Sequence, residues 1–177
     1  YRRYRQNVLP NRKGQRMNVL DDFLPQKDFI ELKKIVMSDF CPWFFTESCT
    51  LQKSKNDPDF YFSHIIYIKN QPCSDFFNIF NEKLIKKLNP FSLVRIKLNC
   101  YPRTSVLTNH LPHVDFDRPH KNFILSFNTC DGFTRMEDGT KIESIENRAI
   151  FFDGGIKHNS TTCTDQKARF NININYL

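Results

Sequence analysis

The chain has 177 residues, 40% of them hydrophobic, so it is long enough to bury one sizeable core and short for two. Its formal net charge is +7, but residues 1–16 hold six basic residues and no acidic one, while the other 20 basic residues are nearly balanced by 19 acidic ones. We therefore predict a basic N-terminal arm or extension over residues 1–16 and a single domain over residues 17–177. The charge alone does not identify that domain as one that binds nucleic acid.

The cysteines and the hydropathy pattern restrict the cellular setting. Six cysteines are spread along the chain without a C-x-x-C pair, which argues against a zinc knuckle or a redox dithiol. No apolar run approaches the 18 residues that a membrane-spanning helix needs. We predict free thiols in a reducing, cytoplasmic location and no membrane partner.

Two amphipathic helices are predicted in the first half of the chain. Apolar residues recur at helical spacing from Pro25 to about Ser38, and Pro25 suits a first helical turn. A second helix should begin with Ser74 as its N-cap and stop at Asn89-Pro90. Both apolar stripes should face the core.

The remaining sequence has the alternation of strands, most clearly over residues 61–68, 94–100 and 169–176, with short apolar runs over 123–127 and 149–152. Asp-Gly pairs supply turns between these runs. Two helices followed by several antiparallel strands predict an α+β chain with a β-sandwich or jelly-roll core.

Candidate metal ligands begin with the pair His113 and Asp115. On an extended strand both side chains would emerge on one face and converge on one ion. Taken alone, the pair is more often a surface strand with a His–Asp hydrogen bond, because about 0.4 such pairs are expected by chance in this composition. His110 and His120 flank the pair and are interpreted as loop residues or substrate-facing groups, not as metal ligands.

The C-terminal third supplies a further histidine and an arginine. His158 follows a glycine-rich turn, and Arg169 lies on the polar face of the last alternating strand together with Asn171 and Asn173. In a jelly roll that face can line the interior. A buried arginine needs a carboxylate, and no acidic residue lies at an obvious cross-strand spacing, so a dicarboxylate ligand is a candidate partner.

This order of residues resembles the 2-oxoglutarate/Fe(II)-dependent oxygenase superfamily, nearest to the prolyl-4-hydroxylase-like branch of phage and marine-microbial type. Residues 95–104, 127–134, 138–142 and 147–153 are also similar to segments of that branch. The resemblance spans about residues 17–177. It implies a double-stranded β-helix, a jelly-roll or cupin-like core, with N-terminal helices packed on one sheet.

The resemblance also implies the chemistry of the site. It makes His113, Asp115 and His158 the ligands of Fe(II), with no catalytic residue beyond them. It implies 2-oxoglutarate and dioxygen as co-substrates, succinate and CO2 as products, and ascorbate as a candidate reductant. Arg169 would bind the distal carboxylate of 2-oxoglutarate, and three further residues are candidate contacts to it: Tyr101, Asn99 and Ser126.

Two other functions use the same three ligands. A Zn-dependent hydrolase would activate water at the metal, and a cupin-like metal-binding module would use the triad structurally while the basic arm recruits nucleic acid. The prime substrate is open between peptidyl proline, a free amino acid, a nucleobase and a small metabolite.

Overall fold

The computed structural model describes residues 7–10, 16–48 and 60–177, and for residues 7–10 and 16 it describes the backbone alone. Within these residues the chain forms twelve strands in two sheets and two helical segments. This arrangement confirms the predicted α+β class and is compatible with a double-stranded β-helix core.

The larger sheet contains nine strands in the order β1-β2-β10-β7-β12-β6-β4-β3, with β5 paired to β4. All of its pairs are antiparallel. In chain order the nine strands are β1 (Asn7–Pro10), β2 (Arg16–Leu20), β3 (Phe44–Thr46), β4 (Tyr61–Ile68), β5 (Gln71–Pro72), β6 (Leu93–Pro102), β7 (Lys121–Ser126), β10 (Ala149–Asp153) and β12 (Ala168–Tyr176).

The smaller sheet has the order β11-β8-β9 and is also antiparallel. Its strands are β8 (Cys130–Met136), β9 (Lys141–Ser144) and β11 (His158–Ser160). Isolated bridges join Asn109 to Thr161 and His113 to His158, so the segment before Asp115 runs along the free side of β11.

Both helical segments pack on one face of the larger sheet, as predicted. Helix α1 (Gln26–Val36) buries Phe29, Leu32 and Val36 against that face. The second segment comprises α2 (Phe77–Phe80), a π-helical turn (Asn81–Ile85) and α3 (Lys86–Leu88). Side chains from both segments share one core with residues of β6, β7 and β12.

The N-cap of the second helix is Phe76, two residues later than the predicted Ser74. The Ser74 hydroxyl oxygen accepts a hydrogen bond from the Phe76 N–H at 3.2 Å and also bonds His64 Nε2 at 2.7 Å. Ser74 therefore closes a turn before the helix instead of capping its first residues. The π-helical turn was not predicted. A single π-helical turn adds one residue to a helix, and the spacing of the apolar residues around it still resembles that of an α-helix.

The face of the larger sheet that is turned towards the smaller sheet is apolar on some strands and polar on others. On β7, Phe123 and Leu125 face the helices, whereas Ile124 faces the smaller sheet and packs against Met136 and Ile150. On β6 and β12 the inward positions are mostly polar and include Asn99 and Asn171, both buried. The polar strands thus place hydrophilic side chains between the two sheets.

Strand β1 lies inside the predicted basic arm and pairs with β2, from Asn7 opposite Val19 to Pro10 opposite Arg16. Residue 16 of the predicted arm is the first residue of β2, and residues 1–6 and 11–15 lie outside the described residues, so the domain boundary at residue 16 stays a prediction. No helix in the described ranges is long and apolar enough to cross a membrane.

Candidate active site

His113, Asp115 and His158 converge between the sheets. One potential ligand atom from each residue lies within 4.8 Å of the others. The backbones of His113 and His158 exchange hydrogen bonds of 2.9 and 3.0 Å, while Asp115 lies in a bend two residues on. The prediction of one strand through both His113 and Asp115 is therefore wrong, since only His113 takes part in a β-bridge. The bend at Asp115, and not strand alternation, turns its carboxylate towards the imidazoles.

Backbone carbonyls orient both imidazoles. The Nδ1 atoms of His113 and His158 lie 3.2 Å from the carbonyl oxygens of Leu111 and Ile156, respectively. With a proton on each Nδ1, each Nε2 carries a free lone pair, which is the tautomer that a metal ligand needs. The Nε2 of His158 is 3.8 Å from Asp115 Oδ2.

Burial lowers the pKa of both histidines. For His158 the pKa falls to about 4, although the charge of Asp115 acts in the opposite direction. The pKa of His113 is also lowered by burial, again against the effect of Asp115. Both imidazoles are therefore neutral near pH 7 and available to bind a cation.

Asp115 is held by an arginine and two asparagines. Arg95 Nη2 donates to Oδ1 at 2.5 Å, and the amides of Asn173 and Asn175 donate to Oδ2 at 3.2 and 3.0 Å. Burial alone would raise the pKa of the carboxyl, but Arg95 and His158 reverse this and hold the pKa well below its usual range. The Asp115 carboxylate is thus ionised, and its orientation is fixed.

Strands β6 and β12 carry a row of inward side chains that leads away from the triad. Their register places four inward residues of each strand opposite one another: Arg95 and Asn175, Lys97 and Asn173, Asn99 and Asn171, and Tyr101 and Arg169. The triad lies at the Arg95 end of this row because Asp115 bonds Arg95, and Arg169 lies at the opposite end.

Arg169 is a buried cation, only 1% exposed. Its Nη1 donates to the Thr161 carbonyl at 3.3 Å, its Nη2 donates to Thr134 Oγ1 at 3.0 Å, and the guanidinium carbon lies 5.6 Å from the Tyr101 ring centre. Its Nε has no hydrogen-bond partner, and Arg169 forms no ion pair within the described residues. Burial lowers its pKa. The surroundings of Arg169 therefore suit the binding of a carboxylate from a ligand, which would supply the missing counter-charge.

The other predicted contacts to the co-substrate have mixed placements. Tyr101 and Asn99 line the pocket that contains the triad. Asn99 donates to Asn171 Oδ1 at 2.8 Å, and its own buried Oδ1 accepts no hydrogen bond. Ser126 is buried and lies opposite Asn171 in the pairing of β7 with β12, but it is not among the residues that line this pocket.

Several pocket residues were not identified from the sequence. Thr134 bonds Arg169, Ser160 belongs to β11, and Tyr61 and Lys97 lie on neighbouring strands β4 and β6. A usable signal existed for Lys97, since it shares the polar face of its strand with Asn99. None existed for Thr134, whose strand belongs to the other sheet.

His110 and His120 lie in loops, outside the group formed by His113, Asp115 and His158. Both are buried. His110 Nδ1 is 2.7 Å from Ser160 Oγ, and its ring lies 5.2 Å from that of Tyr101. The His120 ring packs on Gly154, where an added Cβ would lie 2.3 Å from ring atoms. Both histidines therefore support the walls around the site.

A second group of potential ligands comprises Cys130, Cys163 and Asp165. Burial raises the pKa of the Cys163 thiol to about 11. Because only the thiolate binds metals strongly, this group is poorly suited to hold a cation.

No model of a protein family matches the sequence, and no curated protein matches it. Among solved structures, a prolyl hydroxylase from Trichoplax adhaerens in complex with a hypoxia-inducible-factor peptide aligns with a TM-score of 0.67 and 16% identity, covering 91% of this chain and 83% of that chain. The chain has the fold of the 2-oxoglutarate/Fe(II)-dependent oxygenases.

Two further structures show how widely this fold is used. The viral collagen prolyl hydroxylase of Paramecium bursaria Chlorella virus-1, solved with 2-oxoglutarate, aligns with a TM-score of 0.59 and 12% identity over 93% of this chain and 98% of that chain. The α-ketoglutarate-dependent carbocyclase SnoK of nogalamycin biosynthesis aligns with a TM-score of 0.67 and 8% identity over 93% and 80%. The shared fold therefore does not select a substrate.

Proposed function

We propose that the chain is a 2-oxoglutarate- and Fe(II)-dependent dioxygenase, an oxidoreductase that hydroxylates its substrate and releases succinate and CO2. The observation that carries this proposal is Arg169, a buried guanidinium without a carboxylate partner in the described chain, at the far end of a polar row from the triad. A dicarboxylate that reaches from a metal to Arg169 would supply the missing counter-charge.

The donor set of the triad fits Fe(II). Two neutral imidazoles and one carboxylate are the ligands of mononuclear non-haem iron oxygenases, which keep open coordination positions for co-substrates. His113, Asp115 and His158 would hold the ion. When bound, Fe(II) and 2-oxoglutarate supply the oxidising chemistry with dioxygen, and ascorbate is the proposed reductant.

The surrounding residues would bind and orient the co-substrate. Arg169 would bind its distal carboxylate through a charge-assisted pair, and the Thr134 hydroxyl fixes the guanidinium. Tyr101 and Asn99 would contact the chain of the molecule between the two ends. Ser126 remains a candidate contact behind Asn171.

Arg169 also separates this proposal from a Zn-dependent hydrolase. Hydrolysis by a metal-activated water requires the triad but gives no role to a buried arginine at the opposite end of the polar row. A guanidinium kept in the interior at a desolvation cost is better explained by a ligand that binds it.

Peptidyl proline is one candidate substrate, because two of the three similar structures named above are prolyl hydroxylases. Free amino acids, nucleobases and small metabolites remain candidates of equal standing. The cytoplasmic location stays a prediction from cysteine spacing.

The test is a measurement of succinate formed from 2-oxoglutarate in air with and without Fe(II). The proposal predicts Fe(II)-dependent succinate release, including slow release without a prime substrate. Replacement of Fe(II) by Zn(II) should abolish it. Metal-dependent hydrolysis of esters or amides without any consumption of 2-oxoglutarate would favour the hydrolase instead.

A further inference from the structure

Lys97 places a positively charged ammonium group in the pocket that contains His113, Asp115 and His158. It lies on the inward face of β6, opposite Asn173, and lines the same pocket as His113 and Asp115. Its Nζ donates to the hydroxyl of Tyr61 at 3.1 Å and lies 5.3 Å from the centre of that ring. Tyr61 is buried, so this ammonium group is directed towards the interior and not into bulk water.

No carboxylate of the described chain is paired with Lys97. Its Nζ forms no ion pair within 4.0 Å in these ranges. Asp115 is the only acidic residue described among those that line the pocket, and both of its oxygens are already bound by Arg95 and the asparagines of β12. The charge of Lys97 helps to lower the pKa of Asp115, but the ammonium group makes no direct contact with that carboxylate and can bind an anion from outside the chain.

The charge balance of the site also calls for such an anion. Arg95, Lys97 and Arg169 bring three positive charges to one face of the paired strands β6 and β12, against the single carboxylate of Asp115; of these four residues, Lys97 and Asp115 line the pocket itself. Fe(II) would add two positive charges and 2-oxoglutarate two negative ones. An excess of two positive charges remains, and in a partly desolvated pocket such an excess favours binding of a further anion.

The position of Lys97 separates it from the site of the distal carboxylate. Arg169 lies opposite Tyr101, four residues further along β6. Lys97 lies beside the triad, opposite an asparagine that bonds Asp115. An anion held at Lys97 would therefore place the rest of its molecule next to the metal, where a prime substrate must react.

We propose that Lys97 and the Tyr61 hydroxyl bind a carboxylate of the prime substrate. The substrate class is then a carboxylic acid, such as a free amino acid or another small organic acid. A proline within a peptide chain would not be the substrate, because it has no free carboxylate. This inference rests on the proposed function of the site. It makes Lys97 a specificity-determining residue, while Arg169 recognises the co-substrate.

The test uses acetate as the probe and acetamide as its neutral counterpart. Each is titrated anaerobically into the protein loaded with Fe(II) and saturating 2-oxoglutarate, and the metal-to-ligand charge-transfer band is recorded. The proteins are the wild type, Lys97→Met, Tyr61→Phe and the control Lys167→Met, which removes an exposed lysine. Thermal unfolding of each protein confirms that it is folded.

We expect acetate, and not acetamide, to shift the band in the wild type and in the control. Lys97→Met should weaken the acetate response about tenfold or more, because a charge-assisted hydrogen bond is lost, and Tyr61→Phe should weaken it less. The affinity for 2-oxoglutarate should change by less than about threefold in Lys97→Met, since this residue does not bind that molecule.

Four results would overturn the inference while leaving the proposed function intact. The first is no shift by acetate in the wild type, and the second is an equal shift in Lys97→Met. The third is a shift that arises only because acetate displaces 2-oxoglutarate. A loss of 2-oxoglutarate affinity in Lys97→Met as large as the loss of acetate binding would assign the lysine to the co-substrate. Absence of the band from the wild type would instead contradict the proposed function itself.

Discussion

Arg95 Nη2 lies 2.5 Å from Asp115 Oδ1, and the Nε of the same guanidinium donates to Asn175 Oδ1 at 3.0 Å. The side chains of Arg95 and Asp115 are only 14% and 3% exposed, so this ion pair is largely removed from water. Breaking such a pair leaves an uncompensated charge in the interior. Arg95 thus keeps the carboxylate ionised and oriented before any metal binds.

Arg95→Met should lower the free energy of unfolding of the metal-free protein by about 3–5 kcal/mol. Because a divalent cation replaces the missing counter-charge of Asp115, the metal should raise the melting temperature of this variant more than that of the wild type. Thermal unfolding with and without Fe(II) or Zn(II) measures both effects. The control Arg103→Met, which changes an exposed arginine, should leave both values unchanged. Equal metal-induced shifts in Arg95→Met and the wild type would contradict the role of Arg95 as the counter-charge of Asp115.

Arg169→Met should raise the KM for 2-oxoglutarate at least about tenfold while leaving Fe(II) affinity nearly unchanged. The ligand-free variant should be more stable than the wild type by about 1–4 kcal/mol, since an unpaired buried charge is removed. Succinate assays and chemical denaturation check the two effects. Arg135→Met is the matched control on exposed surface, and parallel losses of metal and 2-oxoglutarate binding would point to a purely structural Arg169.

Gly132 allows Arg169 to approach the backbone of β8. A Cβ at this position would lie 2.6 Å from the Thr162 carbonyl oxygen and 2.8 Å from Arg169 Cδ. Gly132→Ala should therefore cost about 1–3 kcal/mol of stability and raise the KM for 2-oxoglutarate by displacing the guanidinium. At Gly155 the nearest atom is Asp153 Oδ1 at 3.2 Å, so Gly155→Ala should have little effect. A 2-oxoglutarate KM unchanged in folded Gly132→Ala would refute the displacement.

The stability of the metal-free protein should fall as the pH is lowered from about 6.5 to about 4. In the folded state burial lowers the pKa of His158 from 6.5 to about 4, so over this range the unfolded chain binds a proton that the folded chain does not. The loss should amount to about 3 kcal/mol for this residue. His158→Gln should flatten the profile measured by denaturation at each pH; an unchanged slope would show that another group is responsible.

Local patterns were sufficient to predict much of the fold. The alternation over the last strand placed Arg169 on the same inward face as Asn171 and Asn173, and the structure shows that face lining the interior. The apolar stripes of both helices likewise predicted the side that packs on the sheet, because 3.6-residue periodicity directly reflects burial.

Features that depend on tertiary pairing were not predictable. The contact between Arg95 and Asp115 joins a strand to a bend 20 residues later, and Thr134 reaches Arg169 from the opposite sheet. Neither pairing leaves a periodic signal in the sequence. The bend at Asp115 was also missed, because the H-x-D spacing fits a regular strand equally well.

The most direct test of the central claim is an anaerobic titration of the protein with Fe(II) and 2-oxoglutarate, followed by absorption spectroscopy. The wild type should develop a metal-to-ligand charge-transfer band that saturates at one Fe(II) per chain, and His158→Ala should not develop it. Asp115→Ala should also lack the band, whereas Asp117→Ala, which alters an exposed carboxylate two residues away, should retain it. A wild-type protein without the band, or a His158→Ala variant that forms it with unchanged affinity, would contradict the assignment of this site.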